Sequence, residues 1–176
     1  KSPYELNINY LDALSDPDEV KKGIDHLDEL NINYLDALRN PDAPENNIEL
    51  IAKRFLATQA IMLALRGVPG IYFHSIFGSK NWTEGVEQTG RHRTINRQKV
   101  ECVQIEAELN DPTSLRHHVF TGYKKLLKAR MSNPAFHPYG AQEILSIQPS
   151  VFALLRTSLD GNIRTLCLNN VSRQNL

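Results

Sequence analysis

The chain has 176 residues, yet it contains only two cysteines, one tryptophan and two methionines, and its formal net charge is zero. Cys102 and Cys167 stand in unrelated contexts. They form neither a metal-binding pattern nor a disulfide framework, so both are read as reduced thiols. Twenty basic residues balance twenty acidic ones. That excludes a nucleic-acid binder working through a broad positive field. No apolar run approaches the roughly 18 residues of a membrane span, and no secretion-signal pattern opens the chain. A cytoplasmic protein without membrane contact is therefore expected. On that expectation Asn81-Trp82-Thr83 and Asn170-Val171-Ser172, which match the N-glycosylation pattern, are read as chance occurrences. The chain opens on Lys1 and closes in a strand-like segment with no evident stop, so it is expected to be part of something longer.

Against that neutral background, one stretch is cationic. Thr89-Gly90-Arg91-His92-Arg93-Thr94-Ile95-Asn96-Arg97 carries three arginines and a histidine within seven residues. It follows an apolar run, Ile71-Tyr72-Phe73, and a long polar segment. Guanidinium groups gathered on a loop beside a buried element suit an anion. The competing reading is a solvated charged loop that contacts nothing.

In chain order, the first feature is a repeat. Residues 5–14 and 29–38 both read ELNINYLDAL, and Pro17-Asp18 is echoed by Pro41-Asp42. Solenoids need at least three units, so two identical copies indicate a recent local duplication or an artificial insertion. Turn signals over residues 39–47 precede a predicted helix over 48–66, with Gly67 as its cap. Ile71-Tyr72-Phe73, bounded by turn residues, predicts a short buried parallel strand. Residues 75–97 are too long for a plain connection, and Trp82, Ile76 and Phe77 give them something to bury, so an ordered functional loop is expected. Helices follow over 98–109 and from Thr113 or Ser114 to Met131; Lys124, Lys125, Lys128 and Arg130 crowd the end of the second, as the helix dipole favours. Residues 133–140 are read as a boundary. Beyond it 143–148, 151–157 and 163–169 are strand-like, and Leu159-Asp160-Gly161-Asn162 signals a hairpin.

Five strings, in this order, identify a resemblance: Ser2-Pro3-Tyr4-Glu5-Leu6-Asn7-Ile8-Asn9-Tyr10, Arg54-Phe55-Leu56, Gly67-Val68-Pro69-Gly70-Ile71-Tyr72, Gly90-Arg91-His92-Arg93-Thr94-Ile95-Asn96-Arg97 and Arg130-Met131-Ser132-Asn133-Pro134-Ala135-Phe136. Together they resemble the sucrose-phosphorylase branch of the alpha-amylase superfamily, in its glucosylglycerate-phosphorylase-like subgroup. The resemblance implies an α/β fold class: the C-terminal portion of a (β/α)8 barrel over residues 1–138, then the start of a small antiparallel β domain over 139–176. It places residues 2–14 in the loop after the seventh strand, 48–66 in the seventh helix, 70–74 in the eighth strand, 75–97 in the loop after it and 114–131 in the eighth helix. In such barrels chemistry sits on the loops at the C-terminal ends of the strands.

By resemblance, members of the family move a glucosyl group from an α-glucoside to phosphate with retention, using an aspartate nucleophile and a glutamate acid. No acidic residue here matches those motifs, and Glu84 and Glu87 are read as solvated. The chain is thus expected to contain no catalytic residue and to be inactive alone. Its contribution would be the acceptor and phosphate side. Tyr4 and Glu5 match a mobile acceptor loop, in which the relatives often carry glutamine where Glu5 stands, and Asn7 is a further candidate. Arg93 matches an acceptor-reaching arginine, Arg91 adds positive potential beside it, and Asn96 and Arg97 brace the loop. A guanidinium fork fits a phosphate or a carboxylate such as glycerate. The expected partners are an α-glucoside and inorganic phosphate; no cofactor and no metal are expected. An isolated partial barrel exposes strand edges and apolar helix faces, so self-association is expected as well. The duplication leaves two arrangements open: Tyr4 reaches the site and residues 29–38 are added helix, or the second copy takes the native place with Asp28 where Tyr4 would stand. The competing function is a non-catalytic binding protein with a cationic anion-binding loop.

Overall fold

The computed structural model describes residues 33–38, 47–172 and 174. In chain order the elements are α1 (Tyr34–Ala37), α2 (Ile48–Ala64), α3 (Phe73–Ile76), α4 (Thr83–Thr89), a 3-10 helix (His92–Asn96), α5 (Cys102–Asn110), α6 (Leu115–Ser132) and a 3-10 turn (Pro134–Phe136). Three strands follow: β1 (Ala141–Gln148), β2 (Val151–Thr157) and β3 (Arg164–Asn170).

The long helices α2 and α6 form the core pair. Each starts where a polar side chain satisfies an orphan backbone N–H. Asn47 Oδ1 accepts from Leu50 N at 2.9 Å, and Ser114 Oγ accepts from His117 N at 2.9 Å. Helix α2 buries Ala52, Phe55, Gln59 and Leu63, spaced to form one face. Against it α6 buries Val119 and Tyr123. Between them Gly122 lets the helices close up, since a Cβ there would lie 2.2 Å from Leu56 Cδ1. The Phe55 and Tyr123 rings sit 6.1 Å apart, and the Tyr123 hydroxyl donates to Gln59 Oε1. One buried polar pair is thus satisfied internally, and burial pushes the Tyr123 phenol up to about 12.

Helix α2 ends at Ala64, two residues before the expected end, and Gly67 (φ +111°) turns the chain rather than capping it. The exposed carbonyls at this end are taken by two arginines. Arg130 donates to Leu63 O and, at 2.6 Å, to Gly67 O. Arg156, fully buried on β2, donates to Ala64 O and His137 O, each at 2.8 Å. Arg130 therefore caps a different helix from the one that carries it.

The strands form an antiparallel meander in the order β1-β2-β3. Glu143, Leu155 and Leu166 stand in one cross-strand row, and Leu145, Ala153 and Leu168 in the next. Thr157 pairs with Arg164 across the expected hairpin, whose Gly161 has φ +74°.

The expected buried strand does not form. Residues 70–74 are no strand: helix α3 begins at Phe73, and Tyr72 and Phe73 are about half exposed. A buried parallel strand needs a strand on either side to take its N–H and C=O groups. Among the described residues no parallel pairing exists. The segment closes its own bonds instead, with Ser75 N and Ile76 N donating to Tyr72 O at 3.0 and 3.2 Å. The expected loop over 75–97 likewise contains α4 and the 3-10 helix, and the helix predicted from 98 starts at Cys102.

Candidate anion-binding loop

The cationic stretch is held by its neighbours at several points. Its base is closed by Trp82 N donating to Ile95 O at 2.8 Å. Helix α4 folds back over Trp82 because Gly85 has no side chain; a Cβ there would meet Trp82 Cε3 at 2.2 Å. The helix stops at Gly90, in the left-handed conformation (φ +64°), whose N–H returns to Val86 O at 2.8 Å. Thr89 Oγ1 donates to Gly85 O at 2.7 Å and lies 2.9 Å from Thr94 Oγ1, tying α4 to the 3-10 helix. Tyr72 reaches across to donate its hydroxyl to Asn96 O at 3.0 Å. Asn96 thus braces the loop through its backbone. Its side-chain Oδ1 is buried and has no hydrogen-bond partner among the described residues.

The segment leading into this loop is anchored by a buried polar cluster. His74 Nδ1 lies 3.1 Å from Ser79 Oγ. Arg116 donates to Phe77 O at 3.0 Å and forms an ion pair with Glu108 Oε2 at 2.7 Å. Burial, with the Arg116 charge behind it, lowers the His74 pKa. At Glu108 burial pushes the pKa up, but the hydrogen bonds from Arg116 and Gln104 outweigh it and hold the carboxyl below its ordinary range. The Phe77 and Phe120 rings stack 5.4 Å apart, and Gly78 (φ +58°) sits against Val119, fixing the same segment to α6.

A second brace comes from the repeat. Residues 33–38 of the second copy are seated on α2, with Leu35 buried and the Tyr34 ring edge-on to Phe55 at 5.9 Å. Asn33 donates its N–H to Asn81 Oδ1 and its Nδ2 to Lys80 O, each at 2.6 Å, and Asn81 N donates to Asp36 Oδ2. The amide of the Asn81-Trp82-Thr83 pattern is therefore engaged inside the protein.

Of the expected site residues, Tyr4, Glu5 and Asn7 lie outside the described residues, as does Asp28. Arg93 falls within the 3-10 helix, where its backbone is described. Arg91, just before that helix, is exposed, and so is Arg97, whose N–H closes the 3-10 turn on Thr94 O. The Arg97 side chain thus joins the exposed cations rather than the brace. Glu84 and Glu87 lie on the open face of α4. The braces Asn33, Asn81, Ser79 and Arg116 were not picked out from the sequence. Among the described residues, no group of three or more His, Cys, Asp or Glu side chains is placed to hold a metal.

Comparison with known proteins bears first on the fold. The fold is similar to part of sucrose 6F-phosphate phosphorylase from Thermoanaerobacter thermosaccharolyticum, with a TM-score of 0.62 over 80% of this chain and 25% of that one, at 23% sequence identity. More specifically, the chain is a homologue of glucosylglycerate phosphorylases, as its motifs indicated. It is 49% identical over 170 residues to the protein of Spirochaeta thermophila, 41% over 173 residues to that of Escherichia coli, and 39% over 172 residues to that of Allomeiothermus silvanus. These matches take in 97–98% of this chain but only 24–26% of each relative, so the chain spans about a quarter of their length. No protein-family model matches it. Among the described residues, no helix is long and apolar enough to cross a membrane.

Proposed function

We propose that this chain is the acceptor-side portion of a retaining α-glucoside phosphorylase, which transfers a glucosyl group from glucosylglycerate or sucrose to inorganic phosphate. The observation that carries this reading is its 49% identity to a glucosylglycerate phosphorylase over 97% of its length. On this reading residues 1–138 are the last quarter of the catalytic barrel, and residues 139–176 open the β domain. The nucleophilic aspartate and the acid glutamate come from the remaining three quarters. The first attacks the anomeric carbon, while the second gives its proton to the departing glycerate oxygen; phosphate then displaces the aspartate from the opposite face, the one the glycerate left, so the configuration is retained.

The cationic loop supports a role at the departing and incoming groups. Glycerate carries a carboxylate, and phosphate is an anion that a guanidinium binds through paired N–H groups. Arg93 is assigned to that contact, with Arg91 adding positive potential and Tyr4, Glu5 and Asn7 lining the same subsite. The competing reading, a non-catalytic anion-binding module, draws on the same loop, whose described braces all lie within this chain.

In the complete phosphorylase, Arg93→Ala should lower phosphorolysis by about 100-fold or more, as the loss of a charged contact to a reacting group does. It should leave formation of the glucosyl-enzyme from a donor with an uncharged leaving group, such as sucrose, far less affected. Equal loss in both steps would reject the acceptor role. The isolated chain should release no glucose 1-phosphate from glucosylglycerate and phosphate. Turnover by the pure chain would overturn the division of labour, whereas phosphate binding without turnover would favour the binding module.

A further inference from the structure

The seat that Asn33–Leu38 occupies recognises nothing that distinguishes the second copy of the repeat from the first. Leu35 is buried in the cluster that also holds Ala52, Phe55 and Val119, and Asn33 and Asp36 bond the 80–81 backbone and the Asn81 amide. Their counterparts Asn9, Tyr10, Leu11, Asp12 and Leu14 are identical residues at identical spacing. The agreement extends to the stop signal, since Pro17 follows Leu14 at the same distance as Pro41 follows Leu38. A short helix bounded by the same breaker can therefore form in either copy.

We propose that the two copies exchange in this one seat, so that the chain populates two registers differing by 24 residues. With side-chain contacts equal, the balance falls to the connection that must close onto Asn47. It is 8 residues long (39–46) when the second copy is seated and 32 (15–46) when the first is. Closure probability falls roughly as the three-halves power of loop length, which favours the second copy by about 8-fold. The second copy is accordingly the one seen in place, and the first holds the seat about one time in nine. The exchange also changes what leads into the seat. The residue five positions before its asparagine is Asp28 in one register and Tyr4 in the other, an acid against an aromatic ring. The inference does not depend on the proposed activity.

The test is one substitution in two backgrounds. Leu35→Ala removes the buried leucine from the second copy alone. In the full chain the first copy should take over, and the folding equilibrium, read by denaturant unfolding, should fall only about 8-fold. In a chain lacking residues 5–28, which keeps a single copy behind Tyr4, Leu35→Ala has no rescuer and should cost on the order of 100-fold, the usual loss for a buried leucine. Leu11→Ala in the full chain should cost nothing measurable, and Leu11→Ala with Leu35→Ala should restore the full 100-fold loss. Equal cost of Leu35→Ala in both backgrounds, or unfolding of both, would overturn the exchange. Unfolding of the single-copy variant alone supports it.

Discussion

Arginines do opposite things in two regions of this molecule. Arg130 and Arg156 turn inward at the junction of α2, α6 and the sheet, where they donate to carbonyls left open by the end of α2. Arg91 and Arg97 face solvent on a loop whose own backbone is already satisfied by Trp82, Thr94 and Tyr72. An arginine spent on carbonyls holds elements together and has little left to offer a ligand. One held outward by a braced loop is free to meet an anion. The difference lies in what surrounds each guanidinium, since local sequence gives all four the same charge and reach.

The largest effect that would sharpen this contrast is expected at Arg156. Arg156→Ala leaves the Ala64 carbonyl without its guanidinium donor, leaves His137 O with Gly140 N alone, and opens a void beside Phe136, and should cost about 3–5 kcal/mol in chemical denaturation. A loss below about 1 kcal/mol would mean that water reaches those carbonyls and that the inward arginine is no staple.

A smaller effect is expected at the buried hydroxyl between the long helices. Tyr123→Phe strands Gln59 Oε1 and should cost about 1–3 kcal/mol. It should also change the alkaline limb of stability. The folded phenol titrates at about 12, against an ordinary value of 10.0. Between those values the folded state holds a proton the unfolded state has lost, so the Tyr123 contribution is complete below pH 10 and is lost as pH rises toward 12. Unfolding curves through that window should therefore fall less steeply for Tyr123→Phe. Parallel curves would show that the phenol is hydrated.

The smallest effect on stability is expected at the outward pair. Arg91→Ala with Arg97→Ala should move the unfolding free energy by no more than about 0.5 kcal/mol. A destabilisation near that of Arg156→Ala would erase the distinction between the two sets of arginines and leave the loop as scaffold.

Much of the molecule was legible locally. Helices α2 and α6 announced themselves through apolar spacing, and α6 also through Thr113 or Ser114 at its start, whereas the Asn47 cap of α2 reads only as part of a turn. The β2–β3 hairpin did so through Asp160-Gly161, and the homology to glucosylglycerate phosphorylases through five ordered strings. The segment 70–74 misled because a short apolar run reads as a strand only if neighbouring strands exist to pair with it. Arg130 misled because its position at the end of α6 suggested a dipole effect on its own helix, whereas its partners lie on α2. The brace formed by Asn33 and Asn81 joins residues 48 apart in the chain, a distance at which no periodicity signals contact.

The sequence by itself determined the long helices, the meander, the cationic stretch and the kinship with glucosylglycerate phosphorylases, because spacing, caps, turn residues and motifs are properties of neighbours along the chain. Only the tertiary structure decided which arginines are spent inside and which remain outside, that 70–74 turns into a helix, and that one repeat copy sits where either could. Those outcomes depend on which donors, acceptors and apolar surfaces meet across the fold. Two identical segments cannot differ in anything but the chain that tethers them.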